Sequence, residues 1–452
     1  MRALATACFV ASLSVAGQAQ AQGPVTDLPV PQGAAVFGGA EGRGLPGRSG
    51  RLDLLVQVFG GYDDDVLAER SGGAPSQQRP SSSAAGLATG VGAAISYSRP
   101  GLLFNRPERK GEFKAFVDSS VRYYPGLDNL FGQYHRFGLQ LSAPISRRVT
   151  LFVSPRADYS PRYGFELLSG SLPVDPEGGP PALESERPAA PATDYSVVAN
   201  NSLRYGAVGG AEIEVGTRST FTLDGSYTKR RSDLAAYDME VRNVGVSFDH
   251  RFSSNAALEL GYSHVDGDHG SGLATRAHNI DVGLNYRRPL SQTRRTFVSF
   301  TTGSTVAESE LGGQRVQAIG SASLTHYMKR TWTAVAEYRR RVHYVDGFDR
   351  PLFGDAVTTG FNGLLSRRME LVVRASYTSG TVGLRASAPR FDSYTASARL
   401  RRALSRRLAG YVEGLFYHYA FDDLAPRPPG LPQTFDRAAL RCGVSLWVPL
   451  GH

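Results

Sequence analysis

Apolar and polar residues alternate one by one in many short stretches of this chain. In one of them Leu258, Leu260 and Tyr262 occupy one set of alternate positions, and Glu259 and Ser263 occupy the other. Because successive side chains of a β-strand point to opposite faces, this period of two predicts a strand with one apolar and one polar face. The same pattern recurs at 221–227, 332–338 and 371–377.

Short basic turns separate these stretches. Three of them share the tripeptide Ser-Arg-Arg, at 146–148, 366–368 and 405–407, and most of the basic turns recur every ~36 to 40 residues, a period that is also typical of β-propellers. Here, however, each repeat contains two stretches of about 10 to 13 residues, which is the length of a strand that crosses a bilayer at a tilt. The pattern therefore favours successive β-hairpins over propeller blades.

Counting these hairpins predicts an all-β fold, a transmembrane antiparallel up-and-down β-barrel of about eighteen strands. An even number puts both ends of the barrel on one side of the membrane, and about sixteen or twenty strands would satisfy the same rule. Antiparallel neighbours would close the sheet and leave no strand edge in lipid. The predicted strands span 51–62, 86–98, 111–124, 132–143, 149–160, 201–215, 220–230, 238–250, 256–265, 275–287, 295–305, 314–327, 331–343, 355–366, 368–379, 391–402, 406–420 and 434–448.

The apolar faces are better suited to lipid than to the core of a soluble β-sandwich. They contain few bulky residues, since Ala and Gly alternate with Leu and Val, and this suits lipid contact better than close packing. They also end repeatedly in tyrosine, and amphipathic rings at both edges of an apolar band form the interfacial girdle of a membrane barrel. The predicted girdle consists of Tyr97, Tyr159, Tyr227, Tyr262, Tyr286, Tyr327, Tyr338 and Tyr377.

The N-terminus predicts export to the outer membrane. Residues 1–21 combine a basic start, a short apolar run and a small-residue end, as in a cleavable signal peptide. Residues 22–50, rich in Gly and Pro, are expected to be a disordered extension, and 51–452 the barrel. The signal is followed by no run of about 18 apolar residues, which argues against membrane-spanning helices. Cys442 is the one cysteine outside the signal, so an internal disulfide is not expected.

The charge of the chain does not alter the predicted fold. The chain has 50 Lys and Arg against 41 Asp and Glu, a formal net charge of +9. The basic residues are spread over turns and strands, so solvated turns and a polar lumen explain them better than a nucleic-acid surface. We therefore expect outer-membrane lipid, the barrel-assembly machinery and small hydrophilic solutes as partners, and no nucleic acid. A homo-oligomer is compatible with the sequence, although no subunit interface is readable.

Charged residues of both signs fall on the polar faces of the predicted strands. A charge facing hydrocarbon would cost about 2 to 4 kcal/mol, whereas a water-filled lumen accommodates it. Rows of opposite charge would create an electric field across a pore, and this field would select polar solutes. Alternatively, the charges form salt bridges that stiffen or block the lumen. The predicted pore-lining residues are Arg156, Asp158, Arg204, Glu214, Asp224, Glu259, Asp281, Glu337, Arg339, Arg374, Arg399, Glu413 and Arg441.

Two loops are further candidates for function. The third outer loop, 163–194, is long and acidic, so it could fold into the lumen and constrict it, or remain a mobile surface loop. The segment HVDGDHGSG, 264–272, places His264, Asp266, Asp268 and His269 in one predicted loop, where a metal site or an Asp/His hydrolytic pair competes with an ordinary hairpin connection. The spacing is irregular for metal ligands, and we expect neither a metal nor a cofactor.

One stretch carries a family resemblance. VFGGYDDDVLAE, from Val58 to Glu69, runs from the first predicted strand into a Tyr-Asp-Asp-Asp loop. It resembles the start of β-barrel porins found with exopolysaccharide loci, and the hairpin rhythm extends this resemblance over 51–448. The chain departs from the usual barrel ending, because it finishes GVSLWVPLGH with Trp447 as the nearest candidate for a terminal aromatic signal. The resemblance implies an outer-membrane channel connected with surface polysaccharide.

Together these features predict an outer-membrane, porin-like channel for passive passage of hydrophilic solutes, with saccharides as candidates. The alternative is a structural sheath or an export partner of a surface-polysaccharide system. An enzyme is not expected, because the sequence has no Gly-x-Ser-x-Gly elbow, P-loop or paired-cysteine motif. The N-terminal extension is also too short for the plug domain of a TonB-dependent transporter.

Overall fold

A computed structural model gives the structure of the chain. It describes residues 51–63, 86–105, 110–125, 130–164, 196–233, 235, 238–253, 256–269, 274–286, 296–309, 313–328, 331–343, 348, 350–385, 387–427 and 433–451. The signal peptide and the extension predicted for 22–50 lie outside these residues.

The described residues form a closed antiparallel barrel of 18 strands, which confirms the predicted fold class. The predicted strands match the observed ones with small differences at the ends, the largest being β2, which continues to Asn105. The strands are β1 Arg51–Asp63, β2 Gly86–Asn105, β3 Lys110–Tyr124, β4 Leu130–Pro144, β5 Val149–Gly164, β6 Ser196–Glu214, β7 Ser219–Ser232, β8 Met239–Ser253, β9 Ala256–His269, β10 Ala274–Tyr286, β11 Thr296–Ser309, β12 Gly313–Met328, β13 Trp332–His343, β14 Leu352–Ser366, β15 Met369–Val382, β16 Arg390–Ala403, β17 Leu408–Phe421 and β18 Thr434–Gly451.

The barrel closes between its first and last strands. β1 pairs with β2 on one side and with β18 on the other, so that Val58 lies between Val91 and Val444 in the register. Each strand from β2 to β17 pairs with the strand before it and the strand after it in the chain. Closure matters because an unpaired strand edge would leave backbone N–H and C=O groups without partners in hydrocarbon.

The two ends of the barrel differ in their connections. At one end, here the short-turn end, the turns are brief, and β1 begins and β18 ends there, since Leu52 pairs with Gly451. At the other end, the long-loop end, the connections include 64–85, 165–195 and 422–433. In bacterial membrane barrels the short turns are periplasmic and the long loops extracellular.

The outward face of the sheet carries an exposed apolar band. Outward positions such as Val58, Val244, Ile280 and Val316 are between 52% and 69% exposed. An apolar exterior that surrounds a closed sheet is covered by lipid rather than water, so the strands are membrane-spanning. Among the residues that the structure describes, no helix is long and apolar enough to cross a membrane.

Several inward aromatic rings lie flat over a glycine of the next strand. A Cβ on Gly90 would be 2.3 Å from the ring of Phe59, and a Cβ on Gly138 would be 2.3 Å from the ring of Phe116. Arg122 and Arg136 stack over these two rings at 5.8 Å and 5.5 Å from the ring centres. Glycine is required here because any side chain would displace the ring, and the flat rings leave room for polar groups above them.

Candidate functional site in the barrel lumen

The structure places all of the predicted pore-lining residues on the inner face. Each of them alternates along its strand with exposed outward residues, as Asp281 does between Ile280 and Val282. Their role in lining a conducting path stays a prediction. The inward set is Arg156, Asp158, Arg204, Glu214, Asp224, Glu259, Asp281, Glu337, Arg339, Arg374, Arg399, Glu413 and Arg441.

Four carboxylates form an acidic wall on β7 to β10. They are Asp224, Asp249, Glu259 and Asp281, and cross-strand register sets Asp249 directly opposite Glu259. Three of these carboxylates, those of Asp224, Glu259 and Asp281, lie over glycines of adjacent strands: a Cβ on Gly303 would be 2.7 Å from Asp281 Oδ1. Asp249 was not predicted, although its inward parity on a strand with Ser247 and Asn243 was a signal that could have found it. This wall would attract cations.

An arginine cluster lies on the opposite side of the closed sheet, centred on β16 to β18. Arg399 Nη2 lies 2.8 Å from Glu413 Oε1. Arg441 on β18 stands directly opposite Glu413 in the register of β17 and β18. Arg122 from β3 is a further charged neighbour of Tyr411, which is 6% exposed. The Tyr411 hydroxyl has no hydrogen-bond partner among the described atoms. The cluster therefore offers several cationic donors around one buried hydroxyl.

Other inward charges are cross-linked in pairs. Arg136 Nη2 lies 3.1 Å from Asp118 Oδ2, and Arg401 Nη2 lies 2.6 Å from Glu370 Oε2. The predicted pore residues Arg339 and Glu337 are ion-paired with each other. Both sequence-based alternatives therefore have a counterpart in the structure: rows of charge in one part of the lumen and salt bridges in another.

The connection between β15 and β16 folds into the barrel opening, which the sequence did not predict. Gln317 Nε2, on the inner face of β12, donates to the Leu384 carbonyl at 3.0 Å. Gly383 supplies the left-handed backbone (φ 113°) that starts this inward turn, and its N–H donates to Pro351 O. Leu384 is 6% exposed and belongs to a buried cluster with Met239, Val265, Ala277, Ala307, Ile319 and Phe353. We call residues 383–385 and 387–389 the inward loop.

A buried aromatic cluster fills another part of the long-loop end. Phe421 contacts Phe348 and Phe391, with ring centres 5.7 Å and 5.9 Å apart, and Tyr419 lies 5.5 Å from Phe435. All of these rings are at most 3% exposed, as is Tyr417. The inward loop and this cluster occupy space that a uniformly wide lumen would leave to water.

Two predicted loop sites have different outcomes. The acidic loop 163–194 lies almost entirely outside the described residues, with Asp175, Glu177, Glu184, Glu186 and Asp194 among those not covered. The HVDGDHGSG segment was wrongly assigned to a loop, because β9 continues to His269. Alternation along that strand turns His264, Asp266 and Asp268 outward and His269 inward, so the four side chains do not converge. In the part of the chain that the structure describes, no three His, Cys, Asp or Glu side chains are grouped so that they could hold a metal ion.

The predicted girdle tyrosines are mostly outward at the edges of the apolar band. Two of them lie toward the short-turn end: Tyr97, and Tyr286, which stands opposite Ala256 in the register. The long-loop end has the other outward tyrosines, which are Tyr159, Tyr227, Tyr262, Tyr338 and Tyr377. Tyr327 differs, because it pairs with Thr333 on the inner face and the outward residue beside it is His326. A shift of one residue exchanges the two faces of a strand. Near this turn the alternation of polar and apolar residues does not show which residues face outward.

Outward histidines accompany these tyrosines, and sequence reasoning missed them. His135 stacks on Tyr159 with ring centres 5.9 Å apart, and His278 Nδ1 lies 2.9 Å from the Tyr262 hydroxyl. His418 lies beside Tyr394, at 5.7 Å between the ring centres. Histidine combines an aromatic body with a polar tip, so the same parity and position that mark tyrosine could have indicated them.

Comparison with known proteins finds similarity at the level of solved structures. No protein-family model matches the chain, and the search of curated proteins finds no match. OccK2 (OpdF) of Pseudomonas aeruginosa is 11% identical, with a TM-score of 0.45 over 89% of this chain and 98% of that chain. OccAB3 of Acinetobacter baumannii is 11% identical, with a TM-score of 0.44 over 89% and 99% of the two chains. OpdQ of Pseudomonas aeruginosa is 10% identical, with a TM-score of 0.43 over 89% and 98%.

Proposed function

We propose that this protein is an outer-membrane channel of the porin type, for passive passage of small hydrophilic solutes. The observation that carries the proposal is the combination of a closed barrel, an apolar exterior and an inner face with an acidic wall opposite an arginine cluster. Closed antiparallel barrels with an even strand number, short turns and long loops are typical of the bacterial outer membrane. Inward charges are compatible with that environment only where water enters the lumen.

Hydroxyl-rich solutes such as saccharides are the proposed class of cargo. A sugar hydroxyl both donates and accepts hydrogen bonds, so it can exchange partners between carboxylates on one side and guanidinium groups on the other. Opposed rows of charge also orient polar molecules that cross between them. The buried aromatic rings are not accessible for stacking on a sugar, and neither is the buried Tyr411 hydroxyl, so the charged groups of the inner face support this class of solute.

The alternative role as a sheath for a second chain or a glycan strand has less support. Such a partner would need a wide lumen along the whole barrel. The inward loop and the buried aromatic cluster reduce that space at the long-loop end. We therefore favour small solutes over a polymer.

The test is single-channel recording from the refolded chain in a planar bilayer, followed by swelling of proteoliposomes in isotonic sugar solutions. We expect stable ohmic steps, and swelling that is faster with a monosaccharide than with a larger oligosaccharide. A barrel whose folding is verified by heat-modifiable migration but which shows neither conductance nor swelling would overturn the channel. Conductance with no sugar permeation would restrict the function to ions and remove saccharides from the proposal.

A further inference from the structure

Three turns at the short-turn end have the same sequence and the same local structure. Each consists of an apolar residue followed by Ser-Arg-Arg, at 145–148, 365–368 and 404–407. The serine hydroxyl oxygen accepts the N–H of the second arginine at 3.1 Å, 3.3 Å and 3.2 Å respectively. This short hydrogen-bonded turn keeps the backbone compact, and both of its arginine side chains are exposed.

The turns are also tied to the strands beside them. The carbonyl oxygens of Arg148, Arg368 and Arg407 accept N–H groups of Glu214, Ala403 and Trp447 at 2.7 Å, 2.7 Å and 2.8 Å. All six arginines are exposed. The barrel rim therefore holds three pairs of exposed arginines on turns of the same backbone structure. We call these six arginines the basic rim: Arg147, Arg148, Arg367, Arg368, Arg406 and Arg407.

The residue before each Ser-Arg-Arg is an exposed apolar side chain. Ile145, Leu365 and Leu404 are 43%, 52% and 54% exposed, and they continue the outward apolar band to the end of the barrel. The arginines follow two and three residues later, which is a further ~7 to 10 Å at most along an extended chain. The headgroup layer on each side of a bilayer is about 5 to 8 Å thick. The apolar residue thus reaches the hydrocarbon edge while the guanidinium groups lie level with lipid phosphates.

The two ends of the barrel differ in charge. The three turns contain no Asp or Glu. At the long-loop end the outward charges include pairs of opposite sign, such as Lys229 with Glu240 at 2.6 Å and Arg276 with Asp266 at 3.3 Å. A cationic rim beside exposed apolar residues fits an anionic lipid headgroup, and the planar guanidinium matches a phosphate with two parallel hydrogen bonds.

We propose that the basic rim binds the phosphate groups of anionic phospholipids in the adjoining leaflet, which for the proposed orientation is the periplasmic leaflet. The proposal depends on the membrane-spanning fold and not on solute passage. Peptidoglycan carries anionic groups as well, but it lies beyond the lipid surface, whereas these arginines are beside residues that contact hydrocarbon. The rim therefore selects the headgroup charge of the lipid and sets the depth of the barrel in the membrane.

The test compares three forms of the full chain refolded into liposomes of phosphatidylethanolamine with ~20% phosphatidylglycerol, with co-purified lipids measured by native mass spectrometry. The rim variant carries Arg148→Gln, Arg368→Gln and Arg407→Gln. The matched control carries Arg231→Gln, Arg242→Gln and Arg276→Gln, which removes three outward charges at the opposite end. We expect phosphatidylglycerol enrichment in the wild type and the control, and a reduction of at least about fivefold in the rim variant.

Three results would decide against the proposal. Equal enrichment in the rim variant and the control would show that the rim does not select the lipid. Full displacement of the bound lipid by millimolar glycerol phosphate would show a site for free phosphate rather than for a membrane lipid. Rim-dependent binding to purified peptidoglycan without any lipid preference would assign the surface to the cell wall. A fourth form carries Arg148→Lys, Arg368→Lys and Arg407→Lys, which keep the positive charges. If this form retains phosphatidylglycerol enrichment, the loss in the Gln variant is due to charge and not to a folding defect.

Discussion

The ion pair between Asp63 and Arg437 shows how one contact supports closure of the barrel. Arg437 Nε donates to Asp63 Oδ1 at 2.8 Å, and the Arg437 and Asp63 side chains are 3% and 6% exposed. Asp63 is the last residue of β1, and Arg437 lies on the inner face of β18. Because both charges are removed from water, losing one partner leaves the other without compensation.

Replacing Asp63 with Ala is therefore expected to destabilise the folded barrel by about 3 to 5 kcal/mol. The measurement is the urea midpoint of unfolding from liposomes, followed by tyrosine and tryptophan fluorescence. Asp266→Ala is the matched control, because its pair with Arg276 is 41% and 66% exposed and should contribute less than about 1 kcal/mol. Similar midpoints for the two variants would contradict a special role for the buried pair.

The sequence correctly predicted which face of the sheet a side chain occupies where polar and apolar residues alternate regularly. The prediction failed where the alternation is interrupted. Asp224 and Glu259 were placed on the inner face because polar neighbours fix the parity on both sides. Tyr327 was assigned to the girdle, yet Thr333 opposite it is an inward residue, so the tyrosine is inward too. A shift of one residue along a strand moves a side chain from the lipid face to the lumen face. Next to a turn the alternation of polar and apolar residues stops, so it does not indicate the face.

At the scale of elements, hairpins follow from local chemistry. Strand length, period-two alternation and Ser-Arg-Arg turns are readable within a dozen residues, so the eighteen strands were predicted almost to their ends. The inward loop was not, because its position depends on a hydrogen bond from Gln317, 67 residues away in the chain. Its sequence of small residues and proline resembles that of any surface loop.

Substituting Leu384 with Ser should release the inward loop. The side chain is 6% exposed in an apolar cluster, so a hydroxyl there loses burial and favours a loop that points into water. We expect larger single-channel conductance with little change in the thermal stability of the strands. Leu424→Ser is the control, since this loop leucine is already 87% exposed. An unchanged or smaller conductance for Leu384→Ser would argue against a constricting role.

At the scale of the whole molecule, the distribution of charge is a property of the closed sheet. The acidic wall and the arginine cluster are far apart along the chain and face each other only because β1 pairs with β18. Such an arrangement gives the lumen an internal field, which no single strand could create.

Neutralising the acidic wall should change ion selectivity. In the variant Asp249→Asn, Glu259→Gln and Asp281→Asn, we expect the permeability ratio of K⁺ over Cl⁻ to fall by at least about twofold, because the remaining arginines favour anions. The reversal potential in a KCl gradient measures it. The control removes three outward carboxylates, Asp266→Asn, Asp268→Asn and Glu308→Gln, and should leave selectivity unchanged. Equal shifts in both variants would indicate a surface-charge effect without a contribution from the lumen.

Local sequence patterns predicted the fold class, the approximate number and bounds of the strands, and which face of most strands is polar. These properties depend on side-chain alternation and turn chemistry, which act between residues close in the chain. The closed sheet was needed to show which charges meet, that Asp63 reaches Arg437, that the inward loop reaches β12, and that the three Ser-Arg-Arg turns form one rim. Those contacts join residues far apart in sequence, and they exist only once the sheet has closed on itself.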